Sequence, residues 1–140
     1  GAMLCQAFLE GALPPGSHGS TFGGNPLASA AALAVLDALE SEKIADNVAG
    51  LGRELGSGLA ALAKKHERFI ATSRGQGLLQ ALVLRDGIDA RAVVDALRDA
   101  GLLVSIAGGQ ALRFSPPLVI SEAQIGQALA ITDQVFGARE

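Results

Sequence analysis

From residue 18 to residue 28 the chain reads His18-Gly19-Ser20-Thr21-Phe22-Gly23-Gly24-Asn25-Pro26-Leu27-Ala28, and few backbone structures satisfy that order. Asn25 is a strong helix N-cap, and Pro26 suits the first helical position, where its missing N–H has no partner to lose. A helix is therefore predicted to start at Pro26. Gly23 and Gly24, just before the cap, let the backbone take positive φ and leave N–H groups open, while Ser20 and Thr21 add two hydroxyls beside them. Hydroxyls, free amides and the positive end of a helix dipole together suit a phosphate. The same residue types also make an ordinary tight loop entering a helix, so local chemistry leaves both an anion site and a plain turn open.

The helical pattern after Pro26 runs to about Leu39, with Leu27, Ala30, Ala31, Ala34 and Ala38 on one side, small enough for another backbone to come close. A second helix is expected near Ser41, because Ile44, Val48, Leu51, Leu55, Leu59 and Leu62 recur at helical spacing. Its glycines at 50, 52, 56 and 58 each cost roughly 1 kcal/mol against alanine if interior, and close packing is the only account the sequence offers. Lys64, Lys65 and His66 place positive charge at its end, which makes His66 a helix terminus rather than a catalytic base.

Strands are expected at Phe69–Ser73 and Leu78–Arg85, joined by a turn at Gly75-Gln76-Gly77, and the second strand is read as largely buried. Asp89 caps a helix that turns Val93, Val94 and Leu97 inward and ends at Gly101. Two more strands follow, Leu102–Ile106 and Ala111–Phe114, and then a helix opened by the capping box Ser121-Glu122-Ala123-Gln124. The order after residue 67 is ββαββα. That order predicts a mixed or antiparallel sheet with helices on one face, an α/β two-layer domain preceded by two helices.

A chain of 140 residues makes one domain, or a small domain with a piece of another attached. Eleven basic against fourteen acidic side chains leave no basic block to follow a nucleic-acid backbone. The apolar run Ala30–Leu36 is bounded by Ser29 and Asp37, well short of the roughly 20 residues of a membrane span, and no signal peptide is visible. One cysteine, Cys5, excludes an intramolecular disulfide and favours a cytoplasmic protein. Two distant histidines and that cysteine have no metal-ligand spacing, so no metal is expected. Gly1-Ala2-Met3 reads either as a tag remnant or as native sequence.

The segment HGSTFGGNPLA resembles that of class III aminotransferases, above all the acetylornithine and ornithine branch. The similarity runs from Gly1-Ala2-Met3-Leu4 through Leu112-Arg113-Phe114-Ser115-Pro116-Pro117-Leu118 to the last helix, and it corresponds to about the last third of such an enzyme. The resemblance implies the C-terminal part of a fold-type I transferase that uses pyridoxal phosphate. Residues 1–40 would end the large cofactor-binding domain, contributing its last strand at Ala2–Cys5, the phosphate loop and an interdomain helix, and residues 41–140 would form the small domain. Ser20 and Thr21 would reach the cofactor phosphate across a homodimer interface. The implied reaction moves an amino group between N-acetylornithine, or a similar ω-amine, and 2-oxoglutarate.

In that family the Schiff-base lysine lies in a segment this chain does not contain. Lys43, Lys64 and Lys65 sit in helical patterns outside its motif, so no catalytic residue is assigned and the chain alone is expected to be inactive. Arg113 matches the arginine that grips the substrate α-carboxylate. Its own neighbourhood permits a second reading, an edge-strand arginine in water, although Ser115-Pro116-Pro117 ends the strand abruptly and can hold it beside a cleft. Ala81 stands where the family usually has glycine. A non-catalytic module that binds a partner or a carboxylate ligand is the alternative function.

Overall fold

In the computed structural model, which describes residues 3–139, Asn25 caps helix α1 (Pro26–Ser41) by accepting the Ala28 N–H on its Oδ1 at 3.0 Å. Pro26 takes the first helical position, and Gly24 just before the cap has φ +71°. The chain separates into two compact units, one ending at Lys43 and the other beginning at Ile44. In the first unit a short 3₁₀ helix, Ala7–Ala12, precedes the loop that leads to α1, and neither helix has a buried residue.

The strand expected at Ala2–Cys5 is not formed at Met3–Cys5, which have no regular structure, and Ala2 and Gly1 lie outside the described residues. A strand needs a neighbour to share its ladder, and every strand pair among the described residues belongs to the second unit. The second helix also starts later than expected. Helix α1 continues to Ser41, Lys43 takes φ +50°, and α2 (Ile44–Lys65) begins after that left-handed break.

In the second unit β1 (Ile70–Gln76), β2 (Leu79–Leu84), α3 (Ala90–Asp99), β3 (Ser105–Ala107), β4 (Ala111–Phe114) and α4 (Glu122–Gly137) follow α2, the expected ββαββα. The strands form one antiparallel sheet in the order β1-β2-β4-β3. Strand β1 runs on through Gln76, so the turn falls at Gly77-Leu78, where Gly77 has φ +54°. Strand β3 is three residues long, and Leu102–Val104 stay outside the ladder.

One face of the sheet builds the core. Ile70, Leu82, Leu84, Leu112 and Phe114 pack with Leu51, Leu55, Leu59 and Leu62 of α2, Val93 and Leu97 of α3, and Ile125 and Phe136 of α4. The strand read as largely buried is buried on that side only: Leu82 is fully buried, whereas Leu79 is 59 % exposed. This is the alternation expected of an antiparallel sheet covered on one face. Asp89 caps α3 with Oδ1 on the Arg91 and Ala92 N–H groups, and the Ser121/Gln124 capping box opens α4.

The helical glycines of α2 now have a physical account. A Cβ on Gly52 would stand 2.6 Å from the Gly77 backbone, one on Gly56 would press on the Gln80 side chain, and one on Gly58 would overlap Leu129. Only at Gly50 would it meet open space. Three of the four let the sheet and α4 approach the helix closely, which accounts for their cost in helix propensity.

Candidate functional site

Antiparallel register brings four residues into one row across the uncovered face of the sheet. Arg74 on β1 pairs with Ala81 on β2, Ala81 pairs with Arg113 on β4, and Arg113 pairs with Ser105 on β3. Arg113 is exposed, while its neighbours Leu112 and Phe114, at 0 % and 5 % exposure, point into the core. The side chain therefore leaves the sheet opposite both, as the alternation of the strand predicts. Strand β4 lies between β2 and β3, so the reading of Arg113 as an edge-strand residue is corrected: the sheet order places the last strand inside.

The Arg113 Nε–H donates to Ser105 Oγ at 3.0 Å. Its two terminal nitrogens have no protein partner among the described residues, and neither has the Arg74 guanidinium. A planar guanidinium with both terminal groups open offers two parallel hydrogen bonds, the arrangement that fits a carboxylate. Ala81 occupies the other flank of Arg113 with a single methyl group.

Ser115, Pro116 and Pro117 do border a cavity, of about 320 Å³, but its other walls include Phe114, Leu55, Ile120 and Ile125, and Arg113 is not among its lining residues. The cleft expected beside Arg113 is thus a mainly apolar cavity that Arg113 does not line, while the arginine itself stands on the open face.

Ser20 and Thr21 lie in the first unit and are exposed. The Ser20 carbonyl accepts the Gly23 N–H, and a Cβ on Gly23 would come within 3.2 Å of Ser20 Cβ, so the turn folds tightly against that serine. Asn25 keeps its own side chain busy, donating to the Phe22 carbonyl at 2.6 Å while it caps α1. Both hydroxyls are left without a protein partner among the described residues. Two exposed, uncommitted hydroxyl donors just before a helix N-terminus are a donor set that fits a phosphate oxygen.

A second ionisable cluster joins α2 to α4. Asp133 accepts from Lys65 Nζ at 2.7 Å on one carboxylate oxygen and stands 2.7 Å from His66 Nε2 on the other. The His66 ring is almost wholly buried, with its centroid 5.7 Å from that of Phe136. The hydrogen bond from Lys65, and then that with His66, hold the Asp133 carboxyl below the usual carboxylate range. His66 ends the helix as expected and clamps it to α4. Among the described residues no group of three His, Cys, Asp or Glu side chains can hold a metal ion, and no helix is long and apolar enough to cross a membrane.

Sequence reasoning missed Ser105 and passed over the place of Ala81. The hairpin signal was present, since the three-residue turn Gly108-Gly109-Gln110 joins β3 to β4 and counting outward from it puts Ser105 opposite Arg113. The β2–β4 pairing joins distant segments, and no local signal sets Ala81 beside Arg113.

This fold recurs in known proteins. Acetylornithine aminotransferase of Elizabethkingia anophelis superimposes with a TM-score of 0.79 and 38 % identity, covering 89 % of this chain and 31 % of the other. Ornithine aminotransferase of Toxoplasma gondii, whose structure is described with partial occupancy of PLP at its active site, gives a TM-score of 0.78 at 40 % identity, over 90 % of this chain and 30 % of that one. In sequence, acetylornithine aminotransferase of Synechocystis is 43 % identical over 138 residues, which are 97 % of this chain and 32 % of the relative. The mitochondrial ornithine aminotransferase of Drosophila melanogaster is 40 % identical over 130 residues, 93 % of this chain and 30 % of that enzyme.

The two-layer α/β unit is thus one that aminotransferases use. The family model "Aminotransferase class-III" matches residues 1–136, and the chain belongs to that family. It spans about a third of the length of the relatives it matches.

Proposed function

We propose that this chain is the C-terminal portion of an aminotransferase that exchanges an amino group between an ω-amino donor such as N-acetylornithine or ornithine and 2-oxoglutarate. In this reading residues 1–40 end the large cofactor-binding domain, and residues 41–140 are the small domain. The observation that carries it is the Arg113 fork, set on an inner strand with Nε anchored and both terminal groups open, in a chain 43 % identical to an acetylornithine aminotransferase. Arg113 holds the substrate carboxylate by two parallel hydrogen bonds, which fixes orientation as well as charge.

Ser20 and Thr21 hold the phosphate of pyridoxal phosphate with their free hydroxyls, and in a cytoplasmic homodimer they serve the neighbouring subunit's site. Pyridoxal phosphate, when bound, supplies the electron sink for amino transfer. The chain brings the phosphate donors and the carboxylate clamp, whereas Lys43, Lys64 and Lys65 lie outside the lysine motif of the family. The activity therefore belongs to the longer polypeptide, and the chain by itself is inactive.

The test is steady-state kinetics of Arg113→Lys and Arg113→Ala in the full-length enzyme, with one donor that carries an α-carboxylate and one that lacks it. Lysine keeps the charge but loses the fork, so KM for 2-oxoglutarate and the carboxylated donor rises, and alanine raises it further, on the order of 2 to 5 kcal/mol in transition-state binding. The donor without a carboxylate is nearly indifferent. Equal effects on both donors reject the assignment.

A further inference from the structure

We infer that Ser105 is a positioning residue for the Arg113 fork, an inference that rests on the carboxylate role proposed for Arg113. Three observations meet here. Ser105 is the direct cross-strand partner of Arg113, its Oγ accepts the Nε–H at 3.0 Å, and it is half-buried on β3 while Arg113 is exposed.

An exposed arginine samples many rotamers and loses that freedom when it grips a ligand. A bond from Nε to a short side chain on the adjacent strand removes much of the freedom beforehand, because serine has one side-chain torsion and its backbone is held in the ladder. The bond also decides which edge of the guanidinium meets the ligand. With Nε occupied, the side-on edge formed by Nε and one terminal nitrogen is closed to a carboxylate, and the end-on edge formed by the two terminal nitrogens is open. On the opposite flank Ala81 offers no acceptor, so Ser105 alone in the row sets this choice. The site is thereby matched to a ligand carboxylate that approaches end-on, and an amine without a carboxylate gains nothing from the serine.

Serine variants in the full-length enzyme test this. Ser105→Ala should raise KM for 2-oxoglutarate and for the carboxylated donor about three- to tenfold, the worth of one solvent-accessible hydrogen bond, with kcat nearly unchanged. Ser105→Thr, which keeps the hydroxyl, should restore most of the loss, and the donor lacking a carboxylate should respond to neither change. Combined with Arg113→Lys, which has no Nε to hold, Ser105→Ala should add no further loss.

Unchanged KM in Ser105→Ala, while Arg113→Lys still separates the two donors, overturns the role of Ser105 and leaves that of Arg113 standing. Failure of Arg113→Lys to separate the donors removes the ground for both. A Ser105→Ala effect that falls equally on both donors, or that persists in full beside Arg113→Lys, marks the serine as merely structural and overturns the inference. Thermal melts of each variant accompany the kinetics to show that the fold is intact.

Discussion

Asp133 serves two side chains at once, the exposed Lys65 and the buried His66, and its replacement should reveal what the α2–α4 clamp contributes. Lys65 is 61 % exposed, so its ion pair is screened and contributes little. The buried His66 loses more, because without the carboxylate its Nε2 faces the α2–α4 boundary with a weaker partner. Asp133→Asn should therefore destabilise the chain by about 1 to 2 kcal/mol at neutral pH. A carboxyl whose folded pKa is depressed stabilises the fold above its unfolded pKa, and that stabilisation fades as pH falls through the folded value. The gap between the native chain and Asp133→Asn should accordingly be full at pH 7 and shrink below about pH 4. Urea titrations at pH 7 and pH 3 check this, and a gap that stays constant or widens in acid contradicts it.

Helix α2 lets packing and propensity be separated on one element. Gly50→Ala meets open space and an exposed helical position, so it should stabilise by up to about 1 kcal/mol. Gly52→Ala gains the same propensity but drives a methyl group into the Gly77 backbone, and should destabilise by about 1 to 3 kcal/mol. Denaturant midpoints of the two variants should thus move in opposite directions. A stabilised Gly52→Ala would show that the turn yields at little cost. This contrast also marks what the sequence could tell. Asn25-Pro26, Asp89 and Ser121 with Gln124 announced their helices because a cap is a local event, its donors and acceptors lying within four residues. Strand limits were less legible, since β3 ends where its partner ends, and the β2–β4 pairing that puts Arg113 on an inner strand joins distant segments. The break at Lys43 was invisible for another reason, as a lysine at positive φ carries no composition signal. At the candidate site the residue types were readable but the row was not: Arg113 stood out beside its Pro-Pro terminator, whereas Ser105 gains meaning only from register.

The two units differ in what holds them together. Among the described residues every buried apolar residue, from Leu51 to Phe136, belongs to the second unit, and all of them but Ala111 form one continuous core. The first unit has large apolar side chains on its surface, among them Phe8, Phe22 and Leu27 at 79, 80 and 81 % exposure, and its α1 is a helix of 16 residues. A helix of that length without a buried face is marginal in water. Residues 44–140 should therefore fold alone, with a cooperative melt within about 3 °C of the 140-residue chain, because the described residues of the removed unit include no buried apolar side chain. The longer chain should differ in association instead. Its exposed apolar side chains favour self-contact, so light scattering should show a concentration-dependent mass for residues 1–140 and a constant monomer mass for residues 44–140. A melting point lowered by more than about 5 °C on removing the first unit would mean that the second does not carry its own stability, and equal association of both chains would move the sticky surface from α1 to the open face of the sheet.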